Sequence, residues 1–249
     1  MDVFPDLPVG KPHSLAGNFQ GLRNGHVEIM LRHWCKKITM RKATKTVAAW
    51  FGITAGIAGI EHGYFEIQQG TTLPGSLMIA SIGPPCIPEE TWNACEPALT
   101  IVPNYLITGI LAVILGSIIL FWSIFFLQNK YGGAFLILLS IALLLFGGGI
   151  FPPLIGIFGG IAGIKINKPI SQKQPGRILG FAARLWPWPL VLFLVWIFLQ
   201  FPIGHFFNDF MQRAMVFGLL LIIFTLPLSV YTAYAHDRCT EVVNEKSKV

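Results

Sequence analysis

Apolar residues fall along this chain in long unbroken runs rather than in alternation with polar residues. Four runs contain no charged side chain: 104–127, 132–150, 185–203 and 214–234. Each is about 20 residues long, and at about 1.5 Å per residue such a helix crosses a hydrocarbon layer of roughly 30 Å. The runs therefore predict transmembrane helices.

Two further spans are predicted from shorter or more polar stretches, 46–67 and 154–166. The second follows Gly147-Gly148-Gly149-Ile150-Phe151-Pro152-Pro153, and three glycines with two prolines can hardly continue a regular helix. We therefore expect 132–150 and 154–166 to form a short hairpin. The alternative is one broken helix across 132–166.

These runs predict an all-α integral membrane protein, a six-helix transmembrane bundle occupying 46–234. Residues 1–45 form an arm with a basic amphipathic helix, because Val27, Leu31, Trp34 and Ile38 recur at helical spacing. Such a helix lies on a membrane surface or docks a protein partner. Residues 235–249 are expected to be a charged tail.

Positive charge gives the predicted bundle an orientation. Seventeen of the eighteen Lys and Arg residues fall on one side of the six-span topology, and only Arg213 falls on the other. Basic residues stay in cytoplasmic loops and meet anionic lipid there. We therefore expect the cell (inner) membrane, an anionic inner leaflet as lipid partner, and both termini in the cytoplasm. The net charge of +6 is explained in this way, and no nucleic acid is expected as a partner.

Small residues mark the faces on which two spans should pack. The glycines Gly52, Gly56, Gly59 and Gly63 are spaced four, three and four residues apart, and Gly109 and Gly116 lie on a second small-residue stripe. In lipid, small residues let helix backbones approach closely. Both stripes are therefore predicted to be helix-packing faces.

The cysteines divide between the two sides of the predicted membrane. Cys86 and Cys95 lie together in the outer loop, whereas Cys35 and Cys239 lie on the cytoplasmic side. Outer thiols tend to be oxidised, so a structural Cys86–Cys95 disulfide is predicted. Free thiols and a redox-active pair are the alternatives, although the spacing is not that of a C-x-x-C motif.

The most unusual stretch of any span begins at Glu61 and ends at Glu66. Ionisable side chains inside a span are costly and usually face the protein interior or water. His62 and Glu66 are one helical turn apart and can touch, whereas Glu61 lies on the opposite face and needs a partner from another span. We predict that these three residues are the polar elements of a pathway.

Further polar residues are expected near the same surface: Glu96, His205, Asp209 and Arg213. His62 with Glu66 and His205 with Asp209 are two His–carboxylate pairs at a spacing of four, which could together bind a divalent metal. The same groups could instead relay protons, or form only interfacial hydrogen bonds. No cofactor follows from the pattern.

Function is constrained mainly by exclusion. The sequence contains no P-loop, G-x-S-x-G, H-E-x-x-H or Rossmann glycine motif. The expectation is a small transporter or channel-like bundle with a Glu/His pathway near the outer face. One alternative is a non-catalytic subunit or scaffold that meets a membrane protein partner, or forms a homo-oligomer. A third is an intramembrane metal-dependent enzyme.

Overall fold

A computed structural model describes residues 41–82, 87, 92–168 and 176–246, the stretch 241–246 by its backbone alone. The predicted amphipathic helix at 26–38 and Cys86 lie outside the described residues. The chain forms helices α1 (Lys42–Gln68), α2 (Tyr105–Phe125), α3 (Gly132–Leu145), α4 (Phe151–Ile166), α5 (Arg177–Leu185), α6 (Trp188–Phe206) and α7 (Asn208–Lys246), with strands β1 (Met78–Ala80) and β2 (Pro97–Leu99) between α1 and α2.

Three helical segments of the described chain are long and apolar enough to cross a membrane. They are Tyr105–Phe125, Arg177–Phe206 and Asn208–Thr240. The prediction of a mainly helical chain with long apolar helices is confirmed. Helices α3 and α4 are apolar but shorter, and α1 is long but carries charged residues in both halves.

Helix α1 lies at the centre of the bundle. It packs against α2, α4, α7 and α3, and its side chains Val47, Phe51 and Ala55 are fully buried in the core. The Phe51 and Phe193 rings meet edge to face, with centroids 4.9 Å apart. The outer helices instead turn large apolar side chains outward, as lipid contact would require. Helix α1, despite its ionisable residues, is therefore enclosed by other helices along much of its length.

The glycine stripes lie where α1 crosses α2. A Cβ atom at Gly56 would lie 2.8 Å from the carbonyl oxygen of Gly116, and one at Gly63 would lie 2.6 Å from that of Gly109. Any larger residue would force the two backbones apart. The remaining predicted glycines of α1 meet side chains: Gly52 faces Ser123, and Gly59 faces Leu143 of α3.

Helices α3 and α4 form an antiparallel hairpin. Gly133 near the start of α3 lies against Gly160 and Gly163 near the end of α4, which requires the chain to reverse. The turn occupies residues 146–150 rather than 151–153, because Pro152 and Pro153 sit in the first turn of α4, where a missing N–H costs nothing. Helix α3 ends at Leu145 rather than at residue 150.

The C-terminal helices extend beyond the predicted spans. The predicted fifth span, 185–203, corresponds to α6, which Trp186 and Pro187 separate from the shorter helix α5, and helix α7 runs to Lys246. Twelve residues assigned by sequence to the tail, 235–246, are therefore helical. Ala182 and Ala183 of α5 pack with Ala235 of α7, so tertiary contact extends the helix past the apolar run.

The two ends of the described chain meet at one end of the bundle. The Asp237 carboxylate accepts hydrogen bonds from the backbone N–H groups of Ala43 and Thr44, at 3.0 and 2.8 Å, and from the Thr44 hydroxyl at 2.7 Å. Arg41 and Lys165 both stack on the Tyr234 ring, at 4.8 and 5.0 Å from its centroid. The start of α1, the end of α4 and the C-terminal part of α7 thus share this end, which we call the basic end.

A short antiparallel sheet, not predicted from the sequence, lies over the opposite end of the bundle. Its register pairs Met78 with Leu99 and Ala80 with Pro97. The sheet is tied to the α3–α4 turn, because the N–H of Gly147 donates to the carbonyl of Leu99 at 2.9 Å. The hairpin tip is thereby buried beneath the loop that connects α1 to α2 and contains the sheet. Its three glycines, Gly147 to Gly149, are shielded from solvent.

Candidate functional site

A cavity of about 290 Å³ lies under this loop, between α1, α4, α6 and α7. Its polar wall includes Glu61, His62 and Glu96, and its apolar wall combines aliphatic side chains with aromatic and methionine side chains. Small-molecule sites have this composition, a mostly apolar surface with a few placed polar groups. The apolar lining includes Trp92, Phe151, Trp196, Phe198, Phe201, Met211 and Met215.

Helix α1 places two neighbouring ionisable residues on this wall. Glu61 is partly exposed to the cavity, whereas His62 is 2% exposed. The prediction that Glu61 needs a partner from another span stays a prediction; Glu61 lines the cavity where α1 meets residues of the loop, α6 and α7. Together with Thr54, Ile57 and Ala58, Glu61 and His62 lie on one face of α1, at spacings of three and four residues.

The short sheet positions Glu96 beside His62. The ladder continues one residue past the strands, where the N–H of Ser81 donates to the carbonyl of Glu96 at 3.0 Å. The Glu96 carboxylate then lies 3.7 Å from Nε2 of His62. The histidine that was paired with Glu66 from the sequence is therefore paired with Glu96, while its Nδ1 is buried with no hydrogen-bond partner.

Glu66 belongs to a separate, fully buried polar group behind this wall. Its Oε1 accepts a hydrogen bond from the Ser81 hydroxyl at 2.8 Å, and its Oε2 is buried without a partner. The hydroxyl groups of Thr100 and Thr108 lie 2.7 Å apart nearby, and both residues are buried. Ser81 connects the two polar groups, since its backbone holds Glu96 and its side chain holds Glu66.

The tip of the α3–α4 hairpin packs directly against these side chains. Gly147 and Gly149 both have positive φ, +85° and +76°. A Cβ atom at Gly147 would overlap the Glu66 carboxylate, and one at Gly149 would lie 2.5 Å from Nε2 of His62. Only glycine suits these positions, on both conformational and steric grounds. The glycine run therefore forms the turn and also packs against the side chains of His62 and Glu66.

Two tryptophans are fixed in the cavity wall by glycines on neighbouring helices. Trp92 lies over Gly204 of α6, and Trp196 of α6 lies over Gly218 of α7, each so close that a Cβ atom would overlap the indole. Trp92 also meets Phe201 edge to face, with ring centroids 6.3 Å apart. The aromatic surface of the cavity is therefore held by backbone contacts.

The other predicted polar residues lie elsewhere. His205, Asp209 and Arg213 are exposed and do not line the cavity. His205 ends α6 and Asp209 begins α7, with Phe207 between the helices, so the expected spacing along one helix is interrupted. Among the residues that the structure describes, no three His, Cys, Asp or Glu side chains come together as a metal-binding group.

The predicted disulfide stays a prediction, because Cys86 lies outside the described residues. Cys95 lines the cavity next to Glu96 and has a positive φ of 64°. A crosslink at Cys95 would restrain the turn that holds Glu96.

Three features of the site were missed from the sequence: the role of Glu96 as partner of His62, the buried Ser81–Glu66 contact, and the tryptophans of the wall. The first two depend on the strand pairing between β1 and β2, and the strands are only three residues long. The tryptophans depend on contacts with Gly204 and Gly218, which are distant from them in sequence or on another helix. The one local signal was the glycine run at Gly147, which was interpreted only as a turn.

Comparison of the chain with protein-family models, with curated proteins and with solved structures gives no match.

Proposed function

We propose that this chain is a six-span membrane transporter that takes a small, largely apolar solute into the cavity beside Glu61, His62 and Glu96. The observation that carries the proposal is the cavity itself, which brings these three residues together beneath the loop. The site lies on α1, which packs against four other helices, and polar residues inside membrane spans are usually kept for substrate or ion pathways.

The proposed spans are α1, α2, the hairpin helices α3 and α4, α6 and α7. The hairpin helices are 14 and 16 residues long, so each would cover only about 21–24 Å of the membrane normal. The loop and sheet lie over the hairpin tip and complete that side of the protein. An even number of crossings is supported by the contact of Asp237 with Thr44, which brings the two ends of the described chain together at one end of the bundle.

The proposed orientation places the basic end in the cytoplasm. Arg41, Lys42, Lys45 and Lys165 lie at that end, whereas Arg213 lies near the start of α7 at the opposite end. This separation of basic residues is what the positive-inside rule predicts for a chain whose basic end faces the cytoplasm. The cavity would then open from the outer half of the membrane.

The test is protein-dependent efflux of solutes from liposomes. Proteoliposomes are loaded with a mixture of one-ring aromatic amines, acids and neutral compounds, and the retained amounts are followed by mass spectrometry. We expect at least one solute to leave faster than from protein-free liposomes. Ala58→Phe, which fills the cavity wall, and Glu61→Gln should slow that efflux.

Asp209→Asn is the matched control, because it makes the same acid-to-amide change at an exposed residue outside the cavity. Efflux equal to that of protein-free liposomes for every solute would refute the transport proposal. Efflux that is unchanged by Ala58→Phe would show that solute passes elsewhere.

A further inference from the structure

We infer that the cavity selects an organic cation with an aromatic or aliphatic body; this inference rests on the proposed function. Its first support is the charge of the wall. The lining residues that the structure describes include the acids Glu61 and Glu96 and no Lys or Arg. With both carboxylates ionised, this described part of the wall carries two negative charges beside His62.

The second support is that these carboxylates have few internal counter-charges. Among the described residues, the one ion-pair partner found within 4 Å of the Glu96 carboxylate is His62, at 3.7 Å. The nearest described basic residue along α7, Arg213, is exposed and lies outside the cavity lining. Charges in an apolar, enclosed site interact more strongly than in water, so a cation between them would be held firmly and an anion repelled.

The third support is the aromatic wall. Trp92 and Trp196 are fixed by the glycines behind them, and Phe201 meets Trp92 edge to face. Aromatic faces attract cations, tryptophan most strongly, and the interaction is larger in desolvated sites. A fixed ring loses little conformational freedom when a ligand binds. The same wall offers apolar area to the body of the ligand.

The size of the cavity limits the ligand to a compact molecule. About 290 Å³ is at the lower end of ligand pockets, which run from roughly 300 to 1,000 Å³. A single aromatic ring bearing one cationic group is of suitable size, whereas a long chain or a polycyclic compound would have to extend beyond the cavity.

Three probes of nearly equal shape isolate the effect of charge. They are benzyltrimethylammonium, its uncharged isostere neopentylbenzene, and the anion phenylmethanesulfonate. Binding to the full chain in lipid nanodiscs is measured by calorimetry and by tryptophan fluorescence, with empty nanodiscs as the blank. We expect the cation to bind at least about tenfold more tightly than either other probe.

Two substitutions assign the selectivity to the named acids. Glu61→Gln and Glu96→Gln should each weaken cation binding by about tenfold while leaving binding of the neutral probe unchanged, since only the charge is removed. Asp209→Asn should leave all three affinities unchanged. Elution volume and melting midpoint confirm that each variant is folded. Glu61→Gln breaks no hydrogen bond of the described structure, so it tests the selectivity by itself if Glu96→Gln does not fold.

The outcomes separate this inference from the proposal beneath it. Equal binding of the three probes, or tighter binding of the anion, would overturn cation selectivity. If that binding is lost on Ala58→Phe, the cavity remains a ligand site. Cation binding that survives both Glu→Gln substitutions would also overturn it. Absence of binding by all three probes would overturn the inference, while the efflux experiment decides the transport proposal independently.

Discussion

Removing the Asp237 carboxylate should loosen the contact between the two ends of the described chain, which meet at the basic end of the bundle. Asp237 lies on α7 and caps the start of α1, where the first backbone N–H groups have no partner within the helix. It is 9% exposed, so water cannot readily replace it. The substitution Asp237→Ala leaves two backbone donors and the Thr44 hydroxyl without an acceptor.

The magnitude follows from those three hydrogen bonds. Hydrogen bonds to charged groups contribute about 1.5–3 kcal/mol each, and replacement of a capping side chain by alanine costs about 0.5–2 kcal/mol. Because the three bonds share one carboxylate and are not additive, we expect Asp237→Ala to cost about 2–4 kcal/mol. Asp237→Asn keeps one acceptor oxygen and should cost about half as much.

The assay is the thermal unfolding midpoint of the purified full chain in detergent, followed by intrinsic fluorescence. A loss of about 2–4 kcal/mol should lower the midpoint by roughly 5–15 °C. Thr44→Val should lower it less, since only the hydroxyl bond is lost. Thr46→Val is the matched control, because the Thr46 hydroxyl is exposed and bonds only within its own helix, to the Lys42 carbonyl.

Coupling between the residues provides a second measure. Asp237→Ala and Thr44→Val should be non-additive, with a coupling energy of about 1 kcal/mol, because both remove the bond between the Thr44 hydroxyl and the Asp237 carboxylate. A wild-type midpoint for Asp237→Ala, or equal losses for Thr44→Val and Thr46→Val, would refute the role of Asp237 as a cap.

Two further predictions concern glycines whose neighbours are known. Gly63→Ala places a Cβ atom 2.6 Å from the Gly109 carbonyl and should lower the unfolding free energy by about 1–3 kcal/mol. Gly180→Ala, in open space on α5, is the control and should raise the unfolding free energy by about 0.5–1 kcal/mol. Equal effects of the two substitutions in unfolding experiments would contradict close packing of α1 and α2. Gly147→Ala should lower the melting midpoint far more than Gly70→Ala, because both glycines have positive φ but only Gly147 lies against the Glu66 carboxylate. Similar midpoints for the two variants would show that backbone strain, and not the carboxylate contact, determines the loss.

Helix boundaries illustrate how far local pattern reaches. The start of α2 was predicted at residue 104, and Asn104 indeed caps that helix, its side chain accepting from the N–H of Ile107 at 3.1 Å. A cap is a local signal and can be read from sequence. The end of α7 was placed about a dozen residues too early, because helix continuation past Tyr234 depends on packing against α5, which no local pattern encodes.

In the candidate site, too, the sequence identified individual residues but not the contacts between them. The presence of costly polar residues at Glu61, His62 and Glu66 was evident from sequence, because an ionisable group inside an apolar run is anomalous by itself. Their partners were not evident. Glu96 reaches His62 only through the pairing of β1 with β2, and His205 is kept apart from Asp209 by the helix break at Phe207.

The sequence by itself determined the features that depend on one segment at a time: long apolar helices, basic residues kept outside the apolar runs, and the glycine stripes at Gly56 and Gly116. Hydropathy, charge and small-residue spacing act within a segment, so they can be read without the fold. Only the tertiary structure decided which acid meets His62, what the hairpin tip supports, and that Asp237 caps α1. Those contacts join residues far apart in sequence, and they form only when backbone pairing and helix packing bring separate segments to the same place.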